Sequence, residues 1–135
     1  MLGALWAFSD SDAERAHDDA WALWASKEPT AYSFDYSYCG GMCSRCWLRV
    51  SVTNGGVTDA VGRGGTCSMP DARSAPTTEC IFAMVAADRS AEITDSAEVT
   101  YDPTWGFPAS VSIRCPDGWA DCGSRYEVTN FRVQP

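Results

Sequence analysis

The chain predicts an α+β fold: an antiparallel sheet of five to six strands in the order α-β-β-β-α-β-β-β, with helices packed on one face. Three observations carry this. Tyr32, Phe34, Tyr36 and Tyr38 alternate with Ser33, Asp35 and Ser37, a period of two that only an extended strand turns into one aromatic face. Asn54-Gly55 stands between two alternating runs, where it supplies the left-handed backbone of a tight hairpin. Two helix-period segments each precede a group of strands, which favours an antiparallel sheet with helices to one side.

The first helix is expected over about residues 11–26. Ser11-Asp-Ala-Glu14 fits a capping box, in which the serine and the glutamate satisfy backbone donors at a helix start. Ala13, Ala16, Ala20, Trp21, Leu23 and Trp24 recur at three- and four-residue steps as the buried stripe, and Pro29 ends the helix. Residues 1–10 are then an N-terminal extension, and 11–135 form a single domain, a common size for one hydrophobic core.

After the aromatic strand, Leu48, Val50 and Val52 face one way and Arg49 and Ser51 the other; Val57–Val61 is the returning strand. Residues 62–76, rich in Gly, Pro and Ser, are expected to cross the surface as a connector. Thr77 or Thr78 caps a second helix from Glu79 to about Asp88, with Cys80, Ile81, Met84 and Val85 on one face. Val99 and Tyr101, then Val111, Ile113 and Cys115, alternate around a turn fenced by Pro103 and Pro108. The last strand, Tyr126–Val133, loses its alternation at Asn130-Phe131, which predicts a bulge.

Seven cysteines in 135 residues imply a disulfide-stapled domain from an oxidising compartment, because a cytosolic chain would be kept reduced. Cys39, Cys43 and Cys46 cluster in a Gly-rich loop that can bend sulfurs into bonding distance. The seven residues Cys39, Cys43, Cys46, Cys67, Cys80, Cys115 and Cys122 allow about a hundred three-bridge arrangements with one thiol left over. The favoured pairs are Cys115 with Cys122, Cys67 with Cys80, and one pair within the cluster. The first would close a short loop, worth about 2.5 kcal/mol in chain entropy.

The order and spacing of these segments resemble the bacterial family of unknown function DUF6174. The resemblance runs from about Trp24 to Val133, through Ala31-Tyr-Ser-Phe-Asp-Tyr36, the cysteines that follow, Leu48-Arg-Val-Ser-Val-Thr-Asn-Gly55, the helix around Ile81-Phe82, Val99-Thr-Tyr-Asp-Pro103 and Gly106-Phe-Pro108. Members are similar to exported proteins or lipoproteins and have no assigned activity. The resemblance therefore implies a compartment and a fold, and carries over no catalytic residue.

Other chemistries are weaker in the sequence. Cys43-Ser-Arg-Cys46 has a thiol-redox spacing, but such motifs open a helix, whereas Trp47-Leu-Arg-Val begins a strand. A metal site would use Cys39, Cys43 and Cys46 plus a fourth donor, yet the second close cysteine pair of a zinc ribbon is missing. Asp117-Gly-Trp-Ala-Asp121 lacks the repeated ligand spacing of a calcium loop. His17, the only histidine, sits mid-helix one turn before Trp21 and is assigned to packing or exposure. No nucleophile elbow or phosphate loop occurs, and no cofactor or metal is predicted.

Ten basic against eighteen acidic residues give a net charge of -8, which repels phosphate backbones and anionic lipids, so nucleic acid is not an expected partner. No run is long and apolar enough to span a membrane. Met1–Phe8 is too short and lacks a basic leader for a signal peptide, so the expected form is a secreted, periplasmic or cell-envelope domain without its export signal, and a monomer. Trp47, Trp105 and Trp119 stand beside turns; core packing is their leading reading, and a recognition surface is the better one if two of them are exposed together. The functional expectation is a non-catalytic binding or envelope accessory domain for a peptide, glycan or envelope component. The alternative is a cysteine-based metal or thiol-redox protein using Cys39, Cys43 and Cys46.

Overall fold

The structure, a computed structural model, describes residues 2–40, 46–65, 75–91, 94, 96–116 and 123–134. Helix α1 (Leu2–Lys27) leads into β1 (Ala31–Gly40), β2 (Cys46–Thr53) and β3 (Gly56–Gly65). Helix α2 (Thr78–Ser90) leads into β4 (Ser96–Tyr101), β5 (Pro108–Arg114) and β6 (Ser124–Val133). The six strands form one antiparallel sheet in the order β3-β2-β1-β6-β5-β4. Each half of the chain is thus a helix followed by a three-strand meander, and the β1–β6 pairing joins the halves.

Register follows from the turn chemistry. Asn54 (φ 52°) and Gly55 (φ 79°) are both left-handed, as a two-residue hairpin requires, and they set Thr53 opposite Gly56. The bulge expected at Asn130 is present: Asn130 has φ 55°, and the β1–β6 register shifts between Ser33 and Asp35. The extra residue turns Phe131 toward the helices, where it meets Trp24, Tyr32 and Phe107.

The core lies between the helices and one sheet face. Tyr32, Phe34 and Tyr36 from β1, Leu48, Val50 and Val52 from β2, Val111 and Ile113 from β5, and Tyr126 and Val128 from β6 are buried there. They pack with Trp24 from α1 and Ile81, Phe82 and Val85 from α2. The Tyr32 hydroxyl accepts from the Thr78 backbone N–H at 3.2 Å and lies 3.4 Å from Glu79 Oε2, and burial pushes it up to about 12. Tyr126 donates to Asp88 Oδ2 at 2.9 Å, a second polar tie between α2 and the sheet. On the opposite face Arg49 pairs with Asp35. Partial burial raises the Asp35 carboxyl, but hydrogen bonds from Arg49 and Asn130 outweigh this and hold it below its usual value.

Several boundaries differ from expectation. Helix α1 starts at Leu2 rather than near residue 11, so Ser11 lies inside the helix instead of capping it; no proline or glycine after Gly3 interrupts residues 4–28, and propagation is easy once a helix is nucleated. Trp21 is 43% exposed whereas Trp24 is fully buried, so the buried stripe is narrower than the spacing of apolar residues suggests. Strand β3 continues to Gly65 through residues assigned to the connector, because its backbone groups pair with Cys46 and Trp47 despite having few side chains to pack. Helix α2 is capped as expected, with Thr77 Oγ1 accepting from the Cys80 N–H at 3.2 Å. Among the described residues no helix is long and apolar enough to cross a membrane.

Candidate functional site

Of the three tryptophans beside turns, Trp105 lines a recess, Trp47 lies elsewhere and Trp119 falls outside the described residues. Trp105 sits in the β4–β5 turn, which is built by backbone bonds. Asp102 Oδ2 accepts from the N–H groups of Thr104 and Trp105 at 3.0 and 2.7 Å. The Asp102 carbonyl accepts from Gly106 N–H at 2.8 Å, and the Phe107 carbonyl accepts from Asp102 N–H at 2.9 Å. An aspartate that ties two following amides is a strong local turn former.

The end of α1 completes this arrangement. Lys27 Nζ donates to the Thr104 carbonyl at 2.7 Å and stands 5.6 Å from the Trp105 ring centroid, within cation–π range. Phe131 lies 5.4 Å from Trp105 and stacks on Phe107 at 4.7 Å. The result is a recess of about 420 Å³ with an aromatic wall, Trp105 and Phe131, and a polar rim that includes Asp102, Thr104, Thr129 and Asn130. Sequence reasoning found Trp105 and the bulge, but not that the bulge would swing Phe131 against that tryptophan.

Trp47 occupies β2 opposite Ser37. It alternates with Leu48, whose side chain is buried beneath the helices, so it belongs to the opposite face of the sheet. The structure therefore does not bring Trp47 and Trp105 together.

A second and larger cleft, about 670 Å³, opens between α1, α2 and the start of β4. Its walls carry Glu14, His17 and Asp18 from α1, Arg89 and Ser90 from α2, and Ser96 from β4. His17, assigned to packing or exposure from the sequence, is half-buried, and its Nδ1 shares a 2.8 Å hydrogen bond with the Tyr101 hydroxyl. Its ring meets Phe82 edge-on at 5.6 Å. Partial burial, and then the nearby Arg89 charge, hold His17 below its usual value, and Asp18 opposes them more weakly. Neutral His17 can thus accept from the Tyr101 O–H, whose own ionisation burial pushes upward.

The sign of this effect is testable. With its folded value below the unfolded one, His17 takes up a proton more readily in the unfolded chain, so its contribution is present above about pH 6.5 and is lost as pH falls below that. The imidazole NMR resonances of His17 are expected to titrate with a midpoint below 6.5, and the Tyr101→Phe variant to show the same direction of shift, since burial and Arg89 remain.

The cysteines separate into two groups. Cys39 ends β1, Cys46 starts β2 and Cys115 follows β5, each engaged with another residue. Cys80 is a free, exposed thiol, which corrects the expected Cys67–Cys80 pair and removes Cys80 from the bridged set. The reason lies in the helix: α2 buries Thr78, Ile81, Phe82 and Val85, and this stripe turns Cys80 to solvent rather than onto the apolar face. Cys43, Cys67 and Cys122 lie outside the described residues.

No curated protein and no solved structure matches this chain. The model of a family of unknown function, DUF6174, matches residues 16–133, a span that includes all six strands, α2 and the part of α1 that packs on the sheet. The chain therefore belongs to the DUF6174 family.

Proposed function

We propose that this protein is an exported, non-catalytic binding domain of the bacterial cell envelope, braced by about three disulfides, and that it holds a peptide, glycan or envelope component at the Trp105 recess. The observation that carries this reading is the fixed indole of Trp105. A ligand can stack on a ring already held by Lys27, Phe131 and the Asp102 turn, so little side-chain freedom is lost on binding. The rim offers hydroxyl, amide and carboxylate groups to hydrogen-bonding ligands. Seven cysteines in 135 residues, read as disulfide partners, support an oxidising compartment.

The test is a screen of immobilised envelope polysaccharides and peptides with the wild-type domain and Trp105→Ala. A ligand bound by the wild type should lose at least about tenfold in affinity in the variant, as expected for removal of a central aromatic anchor. Equal binding by both proteins would contradict the recess as the site. Trp47→Ala, on the other sheet face, should bind as the wild type does.

A further inference from the structure

The cleft between α1, α2 and β4 is a second site with different chemistry. Arg89 lines it beside two carboxylates, Asp18 and Glu14. Ion pairs join Arg15 to Asp12 and Arg49 to Asp35, and among the described residues none joins Arg89 to Asp18 or Glu14. Charges of both signs thus line one concavity without a direct ion pair between them among the described residues, and both Arg89 and Asp18 act electrostatically on His17 and Tyr101. Arg89 stands in the last turn of α2, where the helix dipole favours a cation.

We propose that this cleft binds a small zwitterion, a free α-amino acid or a short peptide with free ends, its carboxylate on Arg89 and its ammonium on Asp18 and Glu14. An anion alone would meet two carboxylates, and a cation alone would meet the guanidinium; only a ligand carrying both charges uses the whole lining. The volume, about 670 Å³, lies within the usual range for small-molecule sites. Ala13, Ala86 and Ala97 present only methyl groups there, which leaves room for a ligand side chain. Ser90 and Thr94 direct their hydroxyls to helix carbonyls at 2.9 and 2.7 Å, which fixes that wall before any ligand arrives.

The experiment is a titration of ¹⁵N-labelled full chain with glycine, glycylglycine and the doubly blocked N-acetylglycylglycine amide, followed by backbone and His17 chemical shifts. Glycine or glycylglycine should give saturable shifts at His17 and across residues 86–97, and the blocked peptide should give none. Arg89→Gln should weaken binding at least tenfold, and the Asp18→Asn/Glu14→Gln double variant at least threefold, each with an otherwise native spectrum. Trp105→Ala should bind these probes unchanged, so the outcome is separate from that of the aromatic recess. Absence of saturable shifts, equal shifts with the blocked peptide, or insensitivity to Arg89→Gln would overturn the proposal. Loss on Arg89→Gln without loss on the double variant would identify a plain anion site and overturn it as well.

Discussion

Replacing Gly106 by alanine is expected to destabilise the domain by about 3 kcal/mol, seen as a fall in melting temperature of about 10 °C. Two effects add. Gly106 has φ +91°, a conformation that costs a residue with a Cβ about 1–2 kcal/mol. The added Cβ would also overlap the Ala20 carbonyl oxygen and lie 3.0 Å from Trp24 N and 3.2 Å from Leu23 Cβ. Most of these atoms are helix backbone, so relief requires the turn to move away from α1, at a cost comparable to overpacking a core. Gly55→Ala is the control: its φ is +79°, but nothing among the described residues lies within 4 Å of the new Cβ, so only the backbone penalty of about 1 kcal/mol remains. Because Trp105 directly precedes Gly106, the larger perturbation should also disorder the recess, and thermal melts of the two variants followed by near-UV circular dichroism would show both effects.

The second large effect is expected at Trp24. It is fully buried and packs edge-on against Tyr32 at 5.2 Å and Phe131 at 5.9 Å, connecting α1 to both central strands. Trp24→Ala should cost about 3–5 kcal/mol through lost burial and the cavity left behind. Trp24→Phe should cost less than half as much: the indole N–H has no hydrogen-bond partner among the described residues, so the ring loses volume but breaks no polar contact there. Trp21→Ala, at a position 43% exposed, should cost less than about 1 kcal/mol. Urea unfolding of the three variants checks the ranking; a Trp21 variant as damaged as Trp24→Ala would show that α1 packs on the sheet through a different face.

The strands were legible because their signals are local. Alternation marks β1 and β2, the Asn54-Gly55 pair fixes a register, and the broken alternation at Asn130 announces the bulge. The pairing of β1 with β6 has no local signature, since it joins residues about a hundred positions apart, and neither recess can be drawn without it. His17 illustrates the limit: its spacing from Trp21 places it near the buried stripe, but only the arrival of Tyr101 and Arg89 from the other half of the chain makes it part of a cleft. Cys80 failed for a related reason. Helical spacing put it beside Ile81 and Met84, yet Thr78 and Phe82 set the rotation of α2 that turns the thiol outward.

The cross-brace reading of the cysteines is tested most directly by intact mass of the non-reduced protein after alkylation under native conditions, with peptide mapping. Three bridges and a single alkylated residue, Cys80, are the expected result, with a further gain of about six daltons on reduction as each disulfide takes up two hydrogens. Unbridged thiols at Cys39 and Cys46 accompanied by a stoichiometric bound metal would contradict it and move the function to the metal or redox class.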